Sequence, residues 1–381
     1  MSNFKEQAVK ILLADDSYIV REILTDILAE KYIISFAADG EEALQKYQDF
    51  HTDIVILDLH MPSIGGLEVI KYLRNDFQDQ NVYLLVVTGE TSFQLKKQAL
   101  NKGANDYLIK PYNSEELLAR VGVAERQIRL QKQLKEAFSE IEKEIEMLGD
   151  IQSRLLPRKK LDHLNIDVHS YFQPSGRASG DFFDYFSVGS SLVRTAVADV
   201  SGHGARAAFL MGVVRSMIRM TQKNYQDLSS LVNNMNEYLT EIVGLDFDFV
   251  TLFIADLDLA SQEMEYINAG HCPALLKTQG ENIFSLEPTT HVLGVSEQMQ
   301  TISNSTHLSQ QWGLFIYTDG IYEWKLSTGD FLDQDNFLDY AKEILLNSEH
   351  FLEHLLNFLE TLTPNKKFRD DVTALLLQKE K

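Results

Sequence analysis

Residues 10–16 read KILLADD, a run of apolar, β-forming side chains that stops on two carboxylates. Outward from it, similar short runs recur at Ile33–Ala37, Ile54–Leu57, 82–87 and 107–109. The stretches between them carry apolar residues at helical spacing, for example Ile19, Ile23, Ile27 and Leu28. Strands alternating with helices predict an α/β domain built on a doubly wound parallel sheet, and such sheets bind ligands at the carboxyl ends of their strands. The chemistry-bearing residues fall at those ends: Asp15 and Asp16 after the first run, Asp58 after the third, Thr88 after the fourth and Lys110 after the fifth. Three carboxylates at one sheet edge repel each other unless a hard, oxygen-preferring cation, Mg²⁺ above all, sits among them. A cation and an ammonium around one aspartate suit phosphoryl transfer, because fixed positive partners neutralise the charge on the phosphoryl oxygens.

The chain has 381 residues, 44% of them hydrophobic and 24% charged, which is the balance of a globular protein with two or three domains. The formal net charge of −21 gives a surface that repels nucleic acid phosphates and anionic lipid, so direct nucleic acid binding is not expected. The single cysteine, Cys272, has no partner for an internal disulfide. No apolar run reaches the roughly 20 residues that span a bilayer, and the N-terminal segment lacks a signal-peptide core, so neither a membrane nor a secreted location is expected; the cytoplasm is.

In order along the first third of the chain stand LLADD (12–16), LDLHMP (57–62), VVTGE (86–90) and YLIKP (107–111). On these motifs residues 1–124 resemble the receiver domain of two-component response regulators. The resemblance implies that Asp58 accepts a phosphoryl group from a sensor histidine kinase or phosphotransfer protein and that Asp15 and Asp16, with Asp58, hold Mg²⁺. It further implies that Thr88 and Lys110 contact the phosphoryl oxygens and that Tyr107 is an aromatic switch.

Residues 125–157 form the predicted linker. Leu134, Phe138, Ile141, Ile145, Leu148, Gln152 and Leu155 step by 4, 3, 4, 3, 4 and 3 before Pro157. That heptad spacing predicts a helical coiled coil, read as a parallel pair in a homodimer, with Gln152 a polar break in the seam. A helix packed on its own domain is the competing reading. Glu140, Glu142, Glu144 and Glu146 read as a solvated face.

Beyond Pro157 the pattern changes to strands in succession, at 193–200, 249–257, 264–268, Ala274–Lys277, 314–318 and 372–377, with helices at Ala205–Met220, Leu228–Val243, 337–346 and Phe351–Leu362. This predicts an α+β sandwich over residues 158–381. Asp181, Asp199, Asp319 and Asp370 stand at strand edges or in Gly-containing turns, far apart in sequence. Brought together, they would form an oxygen-rich site for Mg²⁺ or Mn²⁺. Two such ions about 3.5–4 Å apart would activate a water and clamp a phosphate for in-line hydrolysis.

The motifs QSRLLP, SGDFFD, ADVSGHGARAAFLM, TLFIADLD, INAGHCPALL, VLGV, YTDGIYE and DDVTALLL follow in order over about 220 residues. They resemble the SpoIIE/RsbU-type branch of metal-dependent serine/threonine protein phosphatases. The resemblance implies two antiparallel sheets flanked by helices, with a helix pair near the linker that controls metal recruitment. Asp199 would bridge both metals, the Val200 carbonyl would add a ligand, Asp319 and Asp370 would hold the first metal, and Asp181 would serve the site directly or through water. Two departures stand out: Ser179-Gly180-Asp181 replaces the common Gly-Gly-Asp, and Cys272 and Ala274 replace the usual Asn and Pro, with no carboxylate lost. The choice of Asp370 over its neighbour Asp371 rests on register. His203 reads either as a proton donor to the leaving oxygen or as a turn-shaping residue. His271 reads as a hydrogen-bonded loop residue, and Asp184, Asp256 and Asp258 as surface or hairpin acids.

The expectation is therefore a response regulator whose aspartyl phosphorylation controls a two-metal Ser/Thr phosphoprotein phosphatase. By resemblance its substrate is a phosphorylated anti-sigma-factor antagonist in a partner-switching pathway. The rival is a catalytically inactive adaptor of the same fold that binds a sigma factor or its regulator; loss of the metal acids would favour it, and all four are present.

Overall fold

The computed structural model describes residues 8–157, 161–202, 204–243, 248–279, 282–323, 332–347, 350–362 and 370–379. Two compact units divide the chain, Met1–Glu140 and Ile141–Lys381. Among the described residues no helix is long and apolar enough to cross a membrane.

In the first unit, strands β1 (Lys10–Ala14), β2 (Ile33–Ala37), β3 (Ile54–Leu57), β4 (Tyr83–Thr88) and β5 (Asp106–Ile109) form a parallel sheet in the order β2-β1-β3-β4-β5. The near-continuous apolar runs fit this arrangement, since both faces are covered. Alternate residues of β1 go to opposite layers. Ile11 and Leu13 pack with α1 (Tyr18–Leu28) and the start of α5 (Ser114–Leu155), while Leu12 and Ala14 pack against α2 (Gly40–Phe50), α3 (Gly66–Lys71) and α4 (Phe93–Asn101). Strand order reverses between β1 and β3, which opens a crevice where Asp15 and Asp58 emerge side by side.

Helix α5 is one unbroken element of 42 residues. Its first turns belong to the receiver-like core, where Leu117, Val121, Ala124 and Ile128 are buried. The heptad positions Leu134, Phe138, Ile141 and Leu148 are exposed within the single chain, whereas Gln152 is buried against its own unit. The four glutamates from Glu140 to Glu146 are exposed, as expected.

The second unit stacks two antiparallel five-stranded sheets. One has the order β13 (Asn304–His307), β10 (Glu263–Ala269), β9 (Val250–Asp258), β8 (Leu192–Val200) and β7 (Phe182–Val188). The other runs β12 (Ile283–Leu286), β11 (Ala274–Lys277), β14 (Trp312–Tyr317), β15 (Val372–Lys379) and β6 (Asp167–Gln173). Helices α6 (Ala205–Met220) and α7 (Leu228–Val243) cover the first sheet, and α8 (Gln334–Asn347) and α9 (Phe351–Leu362) the second. Period-two alternation sorts the strands into these layers. In β8, Ala196, Ala198 and Val200 face α6 and α7, while Val193 and Val197 face the opposite sheet. In β15, Ala374 and Leu376 face α8 and α9, while Leu375 and Leu377 meet the first sheet.

The same alternation corrects the reading of Asp184 and Asp256 as surface acids. Asp184 shares the helix-covered face of β7 with Phe182 and Phe186, is fully buried, and receives Arg219 Nε at 2.6 Å. Asp256 is buried opposite Arg194, whose Nε and Nη2 each donate to it at 2.7 Å. Both acids are held inside by a paired arginine, which a strand pattern alone does not reveal. Asp258 does sit at the β9–β10 hairpin, where its Oδ1 accepts from the Ala260 amide.

Candidate active sites

At the crevice of the first unit, Lys110 Nζ donates to Asp15 Oδ2 at 2.6 Å and to Asp58 Oδ2 at 2.7 Å. Burial alone would lower the lysine pKa, but these two carboxylates hold it above its usual value, so the ammonium is kept charged. Asp15 and Asp58 are buried, Asp16 is exposed, and the three offer oxygens within 4.8 Å of one another. Thr88 ends β4 with no exposed surface. Tyr107 is buried on β5, its hydroxyl donating to the Glu90 carbonyl at 2.7 Å, so the ring is packed inward and tied to the loop after Thr88. All six sequence-picked residues thus gather at the carboxyl edge of the sheet.

The acids of the second unit come together by antiparallel geometry. Asp199 ends β8 and Asp181 precedes its neighbour β7; Asp319 follows β14 and Asp370 precedes its neighbour β15. Neighbours that run in opposite directions put one strand's end beside the other's start, so each sheet delivers two acids to the same edge. Asp199 continues the inward face of Val193 and Val197 and so points between the sheets. Asp319 is followed by Gly320, where a Cβ would lie 2.0 Å from the Asp371 carbonyl oxygen, so the turns before β15 and after β14 touch through a position only glycine fills. A cavity of about 400 Å³ opens here, lined among others by Asp199, Thr251, His271, Asp319 and Tyr322.

Burial and like charge raise the carboxyls of Asp181, Asp199 and Asp319. Burial first, then Asp319, Asp370 and Asp371, push the Asp199 carboxyl up to about 7. Burial first, then Glu323 and Asp370, raise Asp319 to about 6. Asp181, wholly buried, is raised well above the carboxylate range by desolvation and by Asp199, although Thr318 Oγ1 at 2.7 Å and Thr373 Oγ1 at 2.6 Å both donate to its Oδ2. A cluster of mutually repelling, oxygen-only donors is the donor set of a hard divalent cation. Gly180 belongs to the same cradle, since a Cβ there would lie 2.7 Å from the Val200 carbonyl oxygen and cover it.

The two adjacent acids before β15 differ sharply. Asp371 is buried and committed to hydrogen bonds: its Oδ1 accepts from Ser175 N and Oγ at 2.7 and 2.9 Å, its Oδ2 from Gly180 N at 2.7 Å. Asp370 is exposed, and its charge reaches both Asp199 and Asp319. His271 is buried in its loop, with Nδ1 2.7 Å from Thr251 Oγ1 and its amide held by Asn268 Oδ1. His203 lies outside the described residues. Sequence reasoning passed over Thr318, Thr373 and Ser175, and read Gln152 only as a polar break in the seam; the hydroxyls flanking acids in YTD and DVT were the available signal.

Residues 189–380 match the family model of stage II sporulation protein E (SpoIIE), slightly more than half of the chain. The chain belongs to the SpoIIE family. Ahead of the SpoIIE domain, residues 11–122 match the response regulator receiver domain. Phosphoserine phosphatase RsbU of Bacillus subtilis is 26% identical over 243 residues, which cover 63% of this SpoIIE-family chain and 71% of RsbU. Sensory transduction protein LytT of Oceanobacillus iheyensis is 34% identical over 110 residues, 28% of this chain and 44% of LytT. Among solved structures, the SiaA-PP2C domain of Pseudomonas aeruginosa superposes with a TM-score of 0.56 at 17% identity, over 64% of this chain and 99% of that domain. That likeness identifies the second unit as a PP2C-type fold. The chain is a receiver domain fused to a phosphatase domain of the SpoIIE family.

Proposed function

We propose that aspartyl phosphorylation of the receiver domain controls a two-metal Ser/Thr phosphoprotein phosphatase, and that the substrate is a phosphorylated anti-sigma-factor antagonist in a cytoplasmic partner-switching pathway. The observation that carries this reading is the delivery of Asp181, Asp199, Asp319 and Asp370 to one edge of the two sheets. The name of RsbU, a phosphoserine phosphatase, supports the substrate class.

In this reading Asp199, the Val200 carbonyl, Asp319 and Asp370 would hold the Mn²⁺ or Mg²⁺ ions, and Asp181 would support the site from its pair of threonines. When bound, the ions supply Lewis-acid polarisation of the phosphate ester and a nucleophile at neutral pH. Asp371, whose oxygens are taken by Ser175 and Gly180, is assigned to the scaffold and Asp370 to the metal. In the receiver, Asp15, Asp16 and Asp58 would hold Mg²⁺; Asp58 would take the phosphoryl group from a kinase or phosphotransfer partner, while Lys110 and Thr88 would meet its oxygens. The exposed apolar positions of α5 fit a homodimeric coiled coil.

The test is phosphate release from a phosphoserine protein in Mn²⁺, with and without beryllofluoride as a mimic of phospho-Asp58. Beryllofluoride is expected to raise the rate about threefold or more, and an Asp58→Asn chain to show no response. An equal rate with and without the mimic would remove the receiver from control of this output.

A second expectation follows from the raised carboxyls. Cation binding must displace protons from groups that titrate near neutrality, so Mn²⁺ affinity rises with pH through about 7. The sign for stability is opposite in metal-free protein: the folded state binds protons the unfolded chain has released, so stability falls as pH rises from the ordinary carboxylate range to about 7. Mn²⁺ is therefore expected to raise the melting temperature more at about pH 8 than at about pH 6. Calorimetry in buffers of different ionisation enthalpy should register proton release; none at about pH 6 would contradict the assignment.

A further inference from the structure

Gln152 occupies a seam position of the heptad pattern, where an amide weakens a coiled coil, yet it is only 5% exposed within the single chain. Its side chain is spent on one residue of a loop in its own unit. Nε2 donates to the Ser179 carbonyl at 2.7 Å, and the Ser179 amide donates to Oε1 at 2.9 Å. Pairing donor with acceptor at both ends fixes the amide orientation. The helix backbone also approaches this loop closely: a Cβ at Gly149 would lie 1.9 Å from the Arg177 carbonyl oxygen, so only glycine permits the contact.

The loop leads directly to Asp181. Three successive amides in it are each held by a different side chain: Ser179 N by Gln152, Gly180 N by Asp371 Oδ2, and Asp181 N by Ser179 Oγ at 3.1 Å. Two of these holds come from within the sandwich. The third comes from the last turns of α5, a helix whose first turns belong to the receiver core.

We propose that Gln152 is a positioning residue, which makes the placement of Asp181, and with it the cation affinity of the phosphatase site, depend on the seating of the end of α5. The inference rests on the phosphatase reading above and adds to it a route from the linker to a metal-site acid. It also explains the polar residue in the seam: there the helix must grip a loop backbone, for which an apolar side chain has no donor or acceptor.

The test uses the full chain with Gln152→Met, which keeps volume and helix propensity but deletes both hydrogen bonds, and Gln152→Ala as a second variant. Buried and unpaired, the Ser179 amide is expected to exchange hydrogen at least about tenfold faster while β8 and β9 keep their protection. Direct Mn²⁺ titration by calorimetry is expected to show affinity weakened about tenfold. Phosphate release lost at low Mn²⁺ should return as Mn²⁺ is raised. Unchanged Ser179 exchange or unchanged Mn²⁺ affinity in both variants would overturn the proposal, as would loss of protection throughout the sandwich in both. If the unaltered chain itself neither binds Mn²⁺ nor hydrolyses phosphoserine, it is the phosphatase reading that fails.

Discussion

Asp199→Asn is expected to lower phosphoserine hydrolysis by at least about a thousandfold, with a melting temperature no lower than that of the unaltered chain. The loss follows from its place in the proposed site, where it would serve both ions and where it feels the charges of Asp319, Asp370 and Asp371 together. The retained stability follows from the same repulsion. A carboxyl lifted to about 7 by burial and like charge opposes folding when ionised, and asparagine keeps the shape without the charge. Metal-free Asp199→Asn should accordingly melt above the unaltered chain at about pH 8. Near-normal hydrolysis by a purified, folded Asp199→Asn chain would sink the two-metal assignment.

Arg194→Met is expected to destabilise the second unit by about 3–5 kcal/mol, a fall of roughly 10 °C in its melting temperature, without touching an acid of the cation site. Arg194 is fully buried on β8, paired bidentately with Asp256 across the strand pair. It also donates to Thr221 Oγ1 and to the Gln226 carbonyl, fastening the connection between α6 and α7 to the sheet. Removing it strands Asp256, whose pKa burial already raises against the arginine's opposing pull. Replacing Asp256 by leucine in the same chain removes the stranded charge and should recover most of the loss. Melting curves of the single and double variants decide it: equal destabilisation in both would assign the effect to packing, not charge.

In the first unit all five strands, the edges β2 and β5 included, could be read from the amino-acid sequence, whereas in the second unit only the central ones could. β1, β3, β8, β9 and β14 are buried on both faces and announce themselves as apolar runs. The four strands that escaped, β6, β7, β12 and β13, are the four edges of the two sheets of the second unit. An edge strand pairs on one side only and keeps polar residues, as in Asp167–Gln173 and Asn304–His307, so periodicity is faint there. The acids were legible because strand edges or Gly-containing turns mark them, but their supports were not. Which of Asp370 and Asp371 turns inward depends on Ser175 and Gly180, nearly 200 residues away in the chain, and no local pattern carries that information. Likewise the heptad spacing drew attention to α5, while the partner of Gln152 became visible only once Ser179 was folded against it.

Strand β8 carries Arg194 toward the helices and Asp199 toward the opposite sheet, five positions apart on opposite faces. A one-residue slip of this strand would exchange the two sides. The guanidinium would then sit in the apolar layer between the sheets, away from Asp256, and the carboxylate would face the aliphatic surface of α6 and α7. The misplaced guanidinium would be buried without its counter-ion, a penalty of several kcal/mol that mispaired valines and alanines would not incur. Arg194 and Asp256 therefore set the side of β8 that meets the helices, and the same choice of side aims Asp199 at the cavity.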